Sequence, residues 1–255
     1  MTKNLYYEAE MDDFFSLYDT IIDNMDSGTA VERTVPGERW SAAVSGGALG
    51  MAMAMDCDSI APMFPAGLAG MDAKEIAPAI KSWNFREASL ALSAVNLRCN
   101  TVERMEALGC AEPFKNYCTA GLDVRGKTIA AIGHLHLTEE IHREAKKLYI
   151  LERAPQSGDY PDSACDLILP QCDIVLITGC TIINKTLPHL LSLCRNAYTI
   201  LIGPSVPMCP ELLEHGIDRL SGLAVTDPVS MEKKISAGER GSPYGFGQSW
   251  LIKNA

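Results

Sequence analysis

Thr128-Ile129-Ala130-Ala131-Ile132-Gly133 is an unbroken apolar run closed by a glycine. Apolar residues at successive strand positions mean burial on both faces, the mark of a parallel sheet covered by helices. The same signature recurs at Leu148–Leu151, Asp173–Ile177, Thr199–Ile202 and Leu220–Val225. Between the first two runs, Thr138–Lys147 reads as a helix capped by Thr138. Strands that alternate with helices over short connections predict an α/β unit, a Rossmann-like doubly wound parallel sheet.

Outward from this unit toward the N-terminus the chain changes character. Residues 1–123 carry a net charge of −9 and residues 124–255 only −1, so two units are expected, 1–123 and 124–255, with the boundary near Asp123. In the first, Asp12 is placed to cap a helix whose apolar positions Phe14, Leu17, Tyr18, Ile21, Ile22 and Met25 recur at helical spacing. Thr29 to Met55 reads as strands with Pro36-Gly37 as a turn. Met51, Met53 and Met55 alternate on one face. Thioethers suit copper(I), but alternate methionines on a half-buried strand are read as core. Residues 78–109 read as helical, starting at Pro78 and again at Asn84 and stopping at Gly109. Asn84 and Glu87 have the spacing of a capping box. A smaller α+β unit therefore precedes the parallel sheet.

Composition narrows the function classes. The 255 residues carry 22 Lys and Arg against 32 Asp and Glu, a net charge of −10. A nucleic-acid backbone binder needs clustered cations, so nucleic acid is not the expected partner. No run of about 18 apolar residues is present to span a bilayer, so no membrane association is expected. Met1–Glu10 lacks the pattern of a signal sequence, and a cytoplasmic location is the expectation. The nine cysteines, Cys118 among them, include no C-x-x-C pair, which suggests neither a disulfide framework nor a zinc ribbon. A homodimer is a common outcome for such proteins.

In doubly wound sheets ligands bind beyond the carboxyl ends of the strands. That rule selects Gly133-His134-Leu135-His136, Glu152-Arg153, Thr178-Gly179-Cys180-Thr181 and Gly203-Pro204-Ser205. The first offers one glycine and two histidines where a dinucleotide needs G-x-G-x-x-G, which disfavours NAD. His134 and His136, two apart, point the same way if the chain stays extended and then share a divalent or heavy metal ion. Two nitrogens leave such a site incomplete, so Glu152, Cys180 or an external chelating ligand has to supply the rest; otherwise one histidine caps backbone and the other faces water. Thr178, Cys180, Thr181, Asn184 and Thr186 form a polar cluster suited to an anion, more than capping alone was expected to require. Cys180 lacks a base beside it in sequence, so covalent catalysis has no support there. Without a metal, His134 is the candidate general acid or base, oriented by Glu152.

Lys81-Ser82-Trp83-Asn84 with Glu87-Ala88-Ser89 and Asn96, Gly133-His134, Glu152 with Gly158-Asp159-Tyr160-Pro161, Leu169-Pro170, Thr178-Gly179, Asn184-Lys185-Thr186 and Gly203-Pro204-Ser205-Val206-Pro207 occur in that order. This string resembles the two-domain heavy-metal chelation family from about Ala30 to the region of Gly238. The resemblance implies an enolase N-terminal-like domain followed by a Rossmann-like domain, with a site between them that handles a metal or a metal chelate. Carried over residue by residue, it implies Asn84 and Glu87 facing His134, Glu152, Asp159, Thr178, Asn184 and Ser205. Leu135-His136 departs from the Phe-Pro common after this Gly-His, and Val206 stands where Thr is common. Ligand identity, more than fold, is what those departures touch. The expected partner is thus a small-molecule or metal-chelate ligand, with a metal-independent enzyme acting on a small anionic substrate or nucleotide-like ligand as the alternative.

Overall fold

The computed structural model describes residues 14–114 and 121–253. Met1–Glu10, the expected cap Asp12 and Cys118 lie outside these residues. The chain enters on α1 (residues 14–23), which buries Leu17, Tyr18 and Ile21. It then forms an antiparallel three-stranded sheet of β1 (Arg33–Pro36), β2 (Trp40–Ser45) and β3 (Ala48–Met53). Two helices follow, α2 (Ala73–Ile76), begun by a capping box from Asp72 and Glu75, and α3 (Phe85–Cys99). Next come α4 (Val102–Leu108), ended by Gly109 in the left-handed region, and β4 (Ala111–Phe114).

The second part runs β5 (Thr128–Ile132), α5 (Glu139–Glu144), β6 (Lys147–Glu152), β7 (Tyr160–Pro161), α6 (Cys165–Ile168), β8 (Ile174–Thr178), α7 (Cys180–Ile183), α8 (Leu187–Leu193), β9 (Tyr198–Ile202), β10 (Arg219–Val225), α9 (Pro228–Ser236) and β11 (Gly247–Lys253). Thr138 caps α5 as expected, but the helix stops at Glu144, because Lys147 is already paired with Thr128 in the sheet.

Six strands are parallel in the order β7-β6-β5-β8-β9-β10. From β5 the chain builds outward to β6 and β7, then returns and builds the other way through β8, β9 and β10. This is the Rossmann order, with its reversal between β5 and β8. The antiparallel β11 extends the sheet beyond β10, and β4 pairs with β11 at the edge. A strand from the segment before Asp123 thus completes the larger sheet.

Burial on both faces, predicted from the apolar runs, is visible residue by residue. Ala130, Ile132, Val175 and Ile177 face a core shared with α1 and α3, whereas Ile129, Ala131, Ile174 and Leu176 face a second core with Ile141 of α5. The far face of the small sheet, with Trp40, Val44 and Met51, packs on Leu223, Met231 and Ile235.

Polar side chains tie the two parts of the chain together at fixed points. Asn96 Nδ2 donates to the carbonyls of Met51 (2.8 Å) and Pro204 (3.3 Å). Asn100 donates to Val206 O and accepts from Met208 N, at 2.8 and 2.9 Å. Met53 N donates to Ser205 Oγ at 2.8 Å, and Tyr18 OH donates to Ile182 O at 2.9 Å. Buried hydrogen bonds of this kind fix register as well as contributing energy.

Candidate functional site

A cleft opens where the carboxyl ends of β5, β6, β8 and β9 meet the end of β3. It has two lobes, of about 730 and 470 Å³, both bordered by Arg39, Met53, His134, Leu135, Thr178 and Cys180. Its floor lies at the β5/β8 reversal. Gly133 closes β5 with φ +96°, and a Cβ there would lie 3.2 Å from Thr178 Cγ2, so glycine serves both the turn and the close approach. Gly179, expected to bind ligand, borders neither lobe; it packs against the chain after β9, where a Cβ would come within 2.8 Å of Val206 Cγ2 and 2.9 Å of Val206 N.

Among the expected site residues, Glu152, Thr181, Asn184 and Thr186 border the larger lobe, and His136, Gly203 and Ser205 the smaller. Asp159 stands behind His134, with Oδ2 2.6 Å from Nε2. The Gln156 N–H and then the His134 ring hold the Asp159 carboxyl below its usual range. The ring is therefore oriented by Asp159. Glu152, expected in that role, spends its oxygens on backbone N–H groups, Oε1 on His134 (3.2 Å) and Oε2 on Arg153 (2.9 Å). His134 Nδ1 remains 3.9 Å from Glu152 Oε1.

Local bonds account for the polar cluster after β8 more fully than its sequence suggested. Thr178 Oγ1 donates to Cys180 Sγ at 3.3 Å, Thr181 Oγ1 to Thr178 O at 2.7 Å, and Thr186 Oγ1 to Asn184 Oδ1 at 2.6 Å. Burial pushes the Cys180 thiol pKa up, opposed by bonds from Thr178 and Ser205. At neutral pH it is a protonated thiol, not a ready nucleophile.

Asn84 and Glu87 do not border the cleft. Asn84 Oδ1 caps α3 by accepting from Glu87 N at 3.0 Å, and Nδ2 donates to Ile60 O at 2.8 Å. The reciprocal half of the capping box is absent. Glu87, almost fully buried, accepts instead from Met63 N at 2.9 Å and Phe64 N at 2.7 Å. These two side chains hold the loop after β3 against α3. Glu87→Ala orphans two N–H groups and is expected to cost about 2 kcal/mol, with hydrogen exchange at Met63 and Phe64 rising more than the global loss explains. Unchanged protection at those amides would contradict this role.

The cleft has walls that sequence spacing did not reveal. Met53 and Met55 border it, while Met51 alone of the stripe is fully core. Arg39 arrives from the β1–β2 turn and Arg240 with Tyr244 from the segment before β11. The pairing of Arg39 with Trp40, 5.8 Å from guanidinium to ring centroid, is the one local cue. Arg240 sits among Gly and Ser and gave none.

Among the described residues no group of three or more His, Cys, Asp and Glu side chains is placed to hold a metal ion. With both Glu152 oxygens committed to backbone N–H groups and no third side chain of the described residues grouped with His134 and His136, the ligand sought to complete the pair is not at hand. The donors therefore do not fit an ion held by protein side chains alone. Nor, among the described residues, is any helix long and apolar enough to cross a membrane.

Fold and cleft define a two-part α/β protein with a Rossmann-like sheet and a smaller α+β unit joined at its strand ends. The chain belongs to the family described as "Putative heavy-metal chelation", whose two models match residues 18–96 and 120–250. A solved structure of unknown function from the DUF364 family of Desulfitobacterium hafniense is 33% identical, with a TM-score of 0.84 over 94% of this chain and 98% of that one. A second, from Pyrococcus horikoshii, shares 18% identity and a TM-score of 0.73 over 95% and 100% of the two chains, a likeness of fold. An uncharacterized protein of Methanocaldococcus jannaschii is 32% identical over 155 residues, 57% of this chain and 58% of that protein.

Proposed function

We propose that the cleft binds a small organic ligand or a metal chelate, with any metal entering as part of the cargo. The observation that carries this reading is the two-lobed cleft at the β5/β8 reversal, the position where doubly wound sheets take ligands. Its lining mixes apolar walls, among them Met53, Leu135 and Leu151, with a few convergent polar groups, the composition of small-molecule sites. His134 offers a nitrogen donor at the mouth, and the family description supports chelate handling. A chelate brings the ligands that the protein lacks.

Calorimetry of protein purified without chelators tests this with nickel ion, citrate and nickel citrate. Nickel alone is expected to bind weakly and nickel citrate more tightly, with His134→Ala lowering that affinity about 10-fold, the effect of losing about 1.4 kcal/mol. Equal affinity for nickel with and without citrate would contradict the chelate reading, and no heat from any of the three would remove its metal part.

The His134–Asp159 contact also favours a second reading, an enzyme that uses His134 as general acid or base on an organic substrate. A carboxylate on one ring nitrogen fixes the tautomer and leaves the other for substrate. Thermal-shift screening of metabolites with and without EDTA separates metal-independent from metal-dependent binding. Stabilisation by an organic acid or nucleotide in EDTA, reduced by Asp159→Asn, favours the metal-independent reading; stabilisation that requires metal supports the chelate.

A further inference from the structure

The two lobes differ in charge. Around the larger, Arg39 and Arg153 are matched by Glu152, Asp162 and Asp166, and two of these acids are paired, Arg153 with Asp162 at 3.4 Å and His189 with Asp166 at 3.1 Å. The smaller lobe is bordered by Arg39 and Arg240 together with His134 and His136, and no carboxylate lines it. Among the described residues neither Arg39 nor Arg240 has a salt-bridge partner. In a chain of net charge −10, two guanidinium groups brought from distant segments to one acid-free lobe make a local field of the opposite sign.

We infer that the smaller lobe is an oxyanion subsite, in which Arg39 and Arg240 clamp a carboxylate or phosphate group of the ligand. This rests on the cleft being the ligand site and assigns its substrate class. The guanidinium fork matches the paired oxygens of both groups, so the shared chemistry is an oxyanion presented on one edge. Trp40, Pro204, Pro243 and Tyr244 give the lobe apolar walls, and low-dielectric walls strengthen a charge contact beyond its value in open water. The ligand's uncharged part then extends past Met53 and Cys180 into the larger lobe. Arg39 comes from the smaller unit, and Arg240 from the segment between α9 and β11, so the oxyanion is gripped across the junction of the two units.

The test uses the full chain and reads the histidine ring signals by NMR during titration with citrate and, separately, inorganic phosphate. His134 and His136 border the lobe, whereas His142 and His215 do not border either lobe and serve as internal controls. The expected result is saturable movement of His134 and His136 with His142 and His215 unmoved, weakened about 10-fold in both Arg39→Gln and Arg240→Gln, with Arg→Lys at either position recovering part of the affinity. Both arginines are exposed, so the variants are expected to fold as the parent does. Binding by citrate alone identifies a carboxylate site, and binding by phosphate alone a phosphate site. If His134 moves but neither arginine change weakens the response, the subsite is overturned while the cleft stands. If all four histidines move alike, or none moves, the anion is adsorbed elsewhere or excluded, and the inference falls.

Discussion

Gly50→Ala is expected to lower the stability of the fold by about 3–5 kcal/mol, at the upper end of single substitutions. Gly50 lies in the middle of β3, opposite Ala43 on β2, where α3 crosses the small sheet. A Cβ there would fall 2.0 Å from Leu97 N, 2.3 Å from Ser93 O and 2.4 Å from Leu97 Cα. All three atoms are backbone of α3, so no rotamer change relieves the overlap. Helix and strand have to separate, opening the layer of Ala43, Ala52, Ala91 and Ala94 that permits their close approach. The movement also strains the Asn96 bonds to Met51 and Pro204, so the cleft loosens along with the core. Urea unfolding checks this. A midpoint shift equivalent to less than about 1 kcal/mol would contradict the packing described.

Lys185→Met is expected to stabilise the protein at pH 6 by about 2 kcal/mol and to flatten its stability between pH 7 and 10. Lys185 is buried, with 3% of its surface exposed, and Nζ donates to Ile183 O at 2.6 Å. Its ammonium lies 5.4 Å from the Phe85 ring centroid and 5.8 Å from that of Tyr18, which partly offsets the loss of water. No carboxylate among the described residues pairs with it. Burial pushes its pKa from 10.5 down to about 7.

Between those two values the unfolded chain holds a proton that the folded chain has released. Stability therefore rises with pH across this window, and below about pH 7 the folded state bears the full cost of a buried cation. Methionine is one heavy atom shorter and sits in the same strained backbone, φ +65°; it removes the ammonium together with its bond to Ile183 O, and the pH slope, which an uncharged side chain lacks, reports the charge. A wild-type and a variant curve of equal slope from pH 7 to 10 would contradict this account. Lys185 lies between Asn184 and Thr186, which border the larger lobe, so its cost is borne beside the cleft, where strained residues tend to cluster.

The parallel core was legible because burial on both faces leaves a pattern in single strands. Ile129 and Ala130 point into different cores, and no alternation is left for water. The edge of the same sheet was not legible. β4 reads Ala-Glu-Pro-Phe, and Pro113 argues against a strand unless it lies at an edge, which is where it is found. β11 opens with Gly247, Gln248 and Ser249 and becomes apolar only at Trp250.

The candidate site divides the same way. Gly133, His134, Glu152, Thr178 and Gly203 follow from the rule that the ends of parallel strands converge. Arg39 and Arg240 do not, since they reach the lobe through the packing of separate segments. Asn84 and Glu87 show the limit of spacing as evidence. Their separation predicted the N-cap, but the direction of Glu87 depends on where the Met63–Phe64 loop lies.

A crystal structure of the chelator-free protein saturated with nickel citrate tests the central claim most directly. The account predicts density for the complex between Arg39 and Met53 on one side and His134, Thr178 and Cys180 on the other. Density confined to another surface, with this cleft holding only water while calorimetry shows saturation, would contradict it.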